Sequence, residues 1–283
     1  MKPLALILRT AGTNCDAEMV RAFQLAGAET ELVHLDHLIG DPSQVERFDL
    51  IGFPGGFSYG DDVAAGRIFA VRIREHLYPA LRAAADRGVP MIGACNGFQV
   101  LVQTGLLPGS EQGQWPEEPA PQATALAANA GGRFIDRWLH MAPVANTRCI
   151  WTRGLDHFVS SSSSQAASRK PHPDLLMLPI AHGEGCFLTS SPTILQQLEQ
   201  NGQVAIRYAP HDNPNGSESD IAGICDPSGR IFGLMPHPER YLSWRNHPWW
   251  TRLPAESMTG DTPGLRMFKN AVEAVVGVTS SAR

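Results

Sequence analysis

A cysteine flanked by glycines, Gly93-Ala94-Cys95-Asn96-Gly97, follows the apolar run Val89 to Ile92 and precedes Phe98 to Leu107, whose apolar residues recur at helical spacing. Such a pattern reads as a buried strand, a sharp turn and a helix, with the shape of a nucleophile elbow. At the first turn of a helix the unpaired N–H groups and the macrodipole favour an anion, so a thiol there loses its proton more readily than a free cysteine. A small cysteine packed between strand and helix would fit the same residues, and chemistry therefore depends on partners. Pro236-His237-Pro238-Glu239 offers them. In an extended segment residues i and i+2 point the same way, so His237 and Glu239 share a side while Pro238 stiffens the backbone between them. The imidazole could take the Cys95 proton, with Glu239 orienting it and stabilising its charge. A third piece is the glycine-rich stretch Pro54-Gly55-Gly56-Phe57-Ser58-Tyr59-Gly60-Asp61-Asp62. It lacks both G-x-x-x-x-G-K-[ST] and G-x-G-x-x-G, which disfavours a phosphate cradle. Gly55 and Gly56 could instead point a backbone N–H at a developing oxyanion, with the Asn96 amide as second donor.

These pieces need a scaffold that brings them together. Leu4 to Leu8 reads as a buried strand, followed by the turn Ala11 to Asn14 and a helix capped by Asn14 or Asp16, with Met19, Val20, Phe23 and Ala26 on one face. Thr30 to Leu35 and Phe48 to Phe53 read as strands, and Ala64 to Arg87 as one long helix ended by Gly88. Alternating strands and helices predict an α/β fold with a mostly parallel sheet covered on both faces, whose ligand loops lie at the carboxyl ends of the strands. Arg133 to Trp138, and the apolar stretch ending in Cys149 to Thr152, look like added antiparallel strands. Leu176 to Ile180 leads into Ala181-His182-Gly183-Glu184-Gly185; then come a helix at Pro192 to Asn201, a strand at Val204 to Tyr208, and a hairpin of Asp220 to Cys225 with Arg230 to Met235. The pair His182 and Glu184 suits a dyad, a metal fragment or a polar turn, and one such pair cannot fill a metal's coordination sphere.

The 283 residues, 43% hydrophobic and carrying a net charge of -5, suit one globular domain over 1–283, with surface insertions near 109–122, 158–174 and 244–260. The second of these holds five successive serines. Mild acidity without a basic run gives no footprint for nucleic acid or an anionic membrane. The N-terminal MKPLALILRT lacks a signal-peptide cleavage pattern, and no apolar run approaches the roughly 18 residues of a spanning helix, which together predict a cytoplasmic protein. Five cysteines without C-x-x-C spacing predict neither a disulfide framework nor a zinc site.

Gly93-Ala-Cys-Asn-Gly-Phe-Gln99 and Pro236-His-Pro-Glu239 resemble the class I (triad) glutamine amidotransferases. The likeness runs through Gly12-Thr-Asn-Cys-Asp16, Gly55 to Asp61, Gly66-Arg67, Arg133-Phe134 with Arg137-Trp138, Ala181 to Gly185, Asn213-Pro-Asn-Gly-Ser217, Ala222-Gly-Ile224 and Met235 to Arg240, and is greatest for the glutaminase subunits that serve purine biosynthesis. The resemblance implies a flavodoxin-like sheet, Cys95 as nucleophile with His237 and Glu239, and an oxyanion hole at Gly55, Gly56 and Asn96. Gln99, His182 and Glu184 would bind substrate or lie at the partner junction. It further implies no cofactor in this chain, with ATP and magnesium on a separate synthetase subunit and a small bridging subunit beside it. Two alternatives stay open: a glutaminase serving a different synthetase, and a non-catalytic scaffold of the same fold. The glycines of the Gly55-Gly56 loop also suggest a flexible segment whose peptide could flip, which predicts a chain that turns over slowly until its partner binds.

Overall fold

The computed structural model describes residues 2–110, 115–160 and 170–281, with side chains to 277. The chain runs β1 (Leu4–Arg9), α1 (Asp16–Ala26), β2 (Glu29–His34), α2 (Leu35–Gly40), β3 (Leu50–Phe53), α3 (Arg67–His76), α4 (Tyr78–Asp86), β4 (Met91–Ala94) and α5 (Asn96–Gln103). It continues with β5 (Thr124–Ala127), β6 (Ile135–Pro143), β7 (Met177–His182), β8 (Cys186–Thr189), α6 (Pro192–Gln200), β9 (Val204–Tyr208), β10 (Ile221–Cys225), β11 (Ile231–Leu234) and α7 (Pro263–Ser281).

Nine strands form one sheet in the order β2-β1-β3-β4-β11-β10-β9-β6-β7, and β5 and β8 pair separately. The half from β2 to β11 is parallel and the remainder antiparallel. The parallel strands β3 and β4 are buried at every position, as strands covered by helices on both faces must be. One apolar cluster joins α1 and α7 through Phe23, Trp151 and Phe268; the other joins α3, α4 and α5 through Phe53, Phe69 and Phe98. Phe23 meets Phe268 edge-on at 5.1 Å, and the buried indole of Trp151 donates to the Arg230 carbonyl at 2.8 Å. The aromatic interlock fixes α1 against the sheet, and with it the turn that precedes α1.

Several elements differ from the sequence reading. The long helix over 64–87 is two, α3 and α4, broken at Leu77 (φ -122°), because Pro79 in the first turn of α4 has no N–H to continue the ladder. The N-cap position of α1 is Cys15, which makes no side-chain cap, rather than a capping Asn14 or Asp16. Leu35 opens α2 instead of closing β2, since the His34 ring accepts from the Asp36 amide. Cys149 to Thr152 is a turn, not a strand; Trp151 there is a core plug. Residues 111–114 and 161–169, in the expected insertions near 109–122 and 158–174, lie outside the described residues. The segment 244–260 packs on the body: Trp244 meets Tyr241 edge-on, and Nε2 of buried His247 donates to the Asp174 carbonyl at 2.8 Å.

Candidate active site

Cys95 sits at the end of β4 with φ 52° and ψ -108°, a region that costs a non-glycine residue about 1–3 kcal/mol. The strain is held from both sides. Cys95 N donates to Leu234 O of β11 at 2.8 Å, and the Cys95 carbonyl accepts from Phe98 and Gln99 at 2.9 and 3.1 Å, starting α5. The flanking glycines permit this turn to pack: a methyl group on Gly97 would lie 1.9 Å from the Phe53 carbonyl oxygen, and one on Gly93 would lie 2.6 Å from the Gly97 backbone. The thiol is thus presented at the start of a helix, 5% exposed, with Sγ 3.6 Å from the Ala181 carbonyl.

His237 leaves the end of β11. Its amide donates to Pro179 O of β7 at 2.8 Å, so the β6–β7 hairpin folds back over the carboxyl edge of the sheet. Nδ1 lies 2.6 Å from Glu239 Oε1, and both side chains are sealed from solvent. The pairing arises differently from the expectation: Pro238 to Arg240 form a single 3-10 turn, not an extended strand, and the turn brings Glu239 back onto the ring. Burial alone pushes the imidazole down, but the charges of Glu239 and Cys95 outweigh it and raise its pKa well above the ordinary value. Nε2 of His237 is buried and makes no hydrogen bond among the described residues.

Gly55 ends the stretch after β3 facing this ring: a methyl group there would stand 2.6 Å from His237 Cε1 and 3.3 Å from the Ala94 carbonyl. The amides of Gly56 and Asn96 donate to no acceptor among the described residues. Two amides hold the Gly55 carbonyl in this arrangement. The outer part of the loop is tied by a polar chain: Asp61 Oδ1 accepts from Gly66 N and Asn96 Nδ2, Asn96 Nδ2 also reaches Gln99 Oε1 at 3.0 Å, and Gln99 Nε2 donates to Glu184 O at 2.6 Å. Burial, with Glu184 adding to it, raises the Asp61 pKa.

Gln99 and His182 are both buried at 3% exposure, so neither forms an outer surface of this chain; Glu184 Oε2 accepts from Ala65 N at 3.2 Å. Burial and then the neighbouring His237 lower the His182 pKa to about 4, which keeps that ring neutral. Its Nδ1 therefore donates to Asn129 Oδ1 at 3.1 Å, and Asn129 Nδ2 donates back to the His182 and Arg133 carbonyls. Asn129 escaped sequence reasoning, since nothing in its alanine-rich surroundings marks it. Cys15, His237 and Glu239 bring a sulfur, a nitrogen and a carboxylate oxygen within 4.8 Å of one another. That sulfur already accepts from the Arg240 guanidinium, so a cation there would have to displace this contact and sit beside a fixed positive charge.

The description of the CobB/CobQ-like glutamine amidotransferase domain matches residues 2–275. The phosphoribosylformylglycinamidine synthase subunit PurQ of Dehalococcoides mccartyi is 42% identical over 280 residues, covering 96% of this chain and 97% of that protein. The subunit of the same name from Treponema denticola is 40% identical over 257 residues, covering 84% and 88%. Among solved structures, PurLQS from Thermotoga maritima superposes with a TM-score of 0.67 at 29% identity, covering 97% of this chain and 99% of that one. Domain, length and fold agree, and the chain belongs to the glutamine amidotransferase family, among its phosphoribosylformylglycinamidine synthase PurQ subunits.

Proposed function

We propose that the chain hydrolyses glutamine to glutamate and supplies the ammonia to a separate ATP-dependent synthetase subunit, as the glutaminase of a phosphoribosylformylglycinamidine synthase in purine biosynthesis. The observation that carries this reading is the meeting of three strand ends: the strained Cys95 after β4, the His237–Glu239 pair after β11, and Gly55 in van der Waals reach of the His237 ring after β3.

In the proposed reaction the Cys95 thiolate attacks the side-chain amide carbon of glutamine, and the C=O π electrons move to oxygen. The Asn96 amide and the amides of the Gly55-Gly56 loop hold that oxyanion. The tetrahedral adduct collapses as the His237 imidazolium protonates the departing nitrogen, which leaves as ammonia, and a glutamyl thioester remains on Cys95. Neutral His237 then takes a proton from water, which attacks the thioester; collapse of the second adduct expels the Cys95 thiolate and releases glutamate. Glu239 keeps the Nδ1 proton directed at itself, so Nε2 is the nitrogen that exchanges protons, in agreement with its making no hydrogen bond among the described residues.

The ammonia-consuming step needs ATP and magnesium, and we place both on the synthetase partner, with no cofactor in this chain and a small bridging subunit completing the assembly. The described cysteines are all free thiols and no described helix is long and apolar enough to cross a membrane, which supports the cytoplasmic reading. The test is reconstitution with the partner recovered from native extract. Glutamine-dependent amidation of formylglycinamide ribonucleotide is expected; a complex that uses only ammonia, or a partner of another pathway, would overturn the assignment.

A further inference from the structure

Cys15, a second buried thiol at the site, has no part in the reaction above, yet it sits where two halves of the machinery meet. The Gly55 carbonyl accepts two hydrogen bonds from the turn that opens α1, from Asn14 N at 3.3 Å and Cys15 N at 3.2 Å. In a trans peptide the N–H points opposite to the C=O. The Gly56 amide is thereby turned away from α1, and it is free of any acceptor among the described residues. The two segments interlock backbone to backbone. Phe57 N donates to Gly12 O at 2.9 Å and Tyr59 N to Ala11 O at 2.8 Å. A methyl group on Gly12 would lie 1.9 Å from the Phe57 carbonyl oxygen, and one on Gly56 would lie 2.7 Å from Asn14 N. A rotation of the Gly55–Gly56 peptide would break both bonds to its carbonyl at the positive end of a helix.

The side chain of Cys15 fixes that turn in place. It is 1% exposed, its thiol donates to Asn14 Oδ1 at 3.2 Å, and its sulfur accepts from the Arg240 guanidinium at 3.1 Å. Sγ also lies 3.3 Å from where a Gly55 methyl group would stand. Arg240 follows Glu239 directly and reaches Glu18 of α1 at 3.9 Å. One sulfur therefore touches the loop that carries the oxyanion donors and the residue next to the His237–Glu239 turn.

We infer that Cys15 is a positioning residue for the glutaminase reaction: clasped by Arg240, it holds the α1 turn that aims the Gly56 amide at the oxyanion. The inference rests on the reaction proposed above. Losing an oxyanion donor outright costs about 10² to 10³ in turnover, so loosening its anchor is expected to cost about 10-fold or more in kcat, with the KM for glutamine little changed.

The experiment uses the full chain with its synthetase partner. Parent must hydrolyse glutamine and Cys95→Ala must not; failure of that control removes the reaction and says nothing of Cys15. In Cys15→Ala, kcat is expected to fall while iodoacetamide, which needs the Cys95 thiolate but develops no oxyanion, modifies Cys95 at the parental rate. Cys15→Ser, whose hydroxyl still accepts from Arg240, should recover most of the loss. Should Cys15→Ala fail to fold, seen as alkylation of the core thiols Cys149 and Cys225, the same two rates are read on Arg240→Gln. Parental kcat in the variant read, or a fall in kcat matched by an equal fall in Cys95 alkylation, overturns the inference.

Discussion

Glu239 holds Oε1 2.6 Å from Nδ1 of His237 with both side chains out of reach of solvent. Because that carboxylate helps to raise the imidazole pKa against the opposing effect of burial, Glu239→Gln should lower it. The high-pH limb of kcat/KM for glutamine, where the imidazolium is lost, is expected to move to lower pH. Turnover should fall by about 10² or more, since the ring also loses its fixed tautomer. A pH profile unchanged from the parent would remove the role given to Glu239.

Cys95→Ala is expected to abolish glutamine-dependent synthesis by the complex and leave ammonia-dependent synthesis largely intact, because the synthetase half does not need the thiol. An electrophilic glutamine analogue should label Cys95 and spare Cys15, Cys149, Cys186 and Cys225. Mass spectrometry of the digested chain decides it, and equal labelling of all five would count against a selectively activated thiolate.

Gly55→Ala places a methyl group 2.6 Å from His237 Cε1. The ring has no slack, being held by Glu239 and by the Pro179 carbonyl through its backbone. Expected is a loss of turnover of about 10-fold or more together with a lowered melting temperature, since overpacking a filled site costs about 1–3 kcal/mol, both measured on one preparation.

His182 is neutral in the fold, with its pKa lowered to about 4 from an ordinary 6.5 by burial and by His237. A histidine of depressed pKa is protonated earlier in the unfolded chain, so the fold loses stability as pH falls from about 6.5 toward 4, on the order of 3 kcal/mol in full. His237, raised instead, is protonated in the fold throughout and, below about pH 5.5, almost fully in the unfolded chain too, so it adds little slope there. His182→Gln should flatten the dependence, as followed by urea unfolding at a series of pH values; an unchanged slope would refute the attribution.

Much of the site was legible because its signals are local. A cysteine between glycines after a buried strand, and a His-Pro-Glu after another, state their own backbone demands: Gly97 must lie against Phe53, and Cys95 must take a strained φ. The alternation of strands and helices was sufficient for a mostly parallel sheet. Elements whose form is decided by distant neighbours were misread. Trp151 looks like strand material but plugs the core between Phe23, Phe232 and Phe268. The His237–Glu239 pair was anticipated for a reason that does not apply, since a 3-10 turn rather than strand alternation makes it.

The sequence by itself determined which residues are chemically able, for thiol, imidazole, carboxylate and glycine are fixed by residue type and their order by the chain. Only the tertiary structure decided how they are held. The Gly55 carbonyl is bonded by amides some forty positions earlier, Arg240 lies on a thiol at the other end of the chain, and Asn129 fixes the tautomer of His182. Each of these contacts joins residues far apart in the chain, the first through backbone amides that every residue carries and the other two through side chains whose partners only the fold selects, so no pattern of residue types could announce them before β1, β3 and β11 stood side by side with β4.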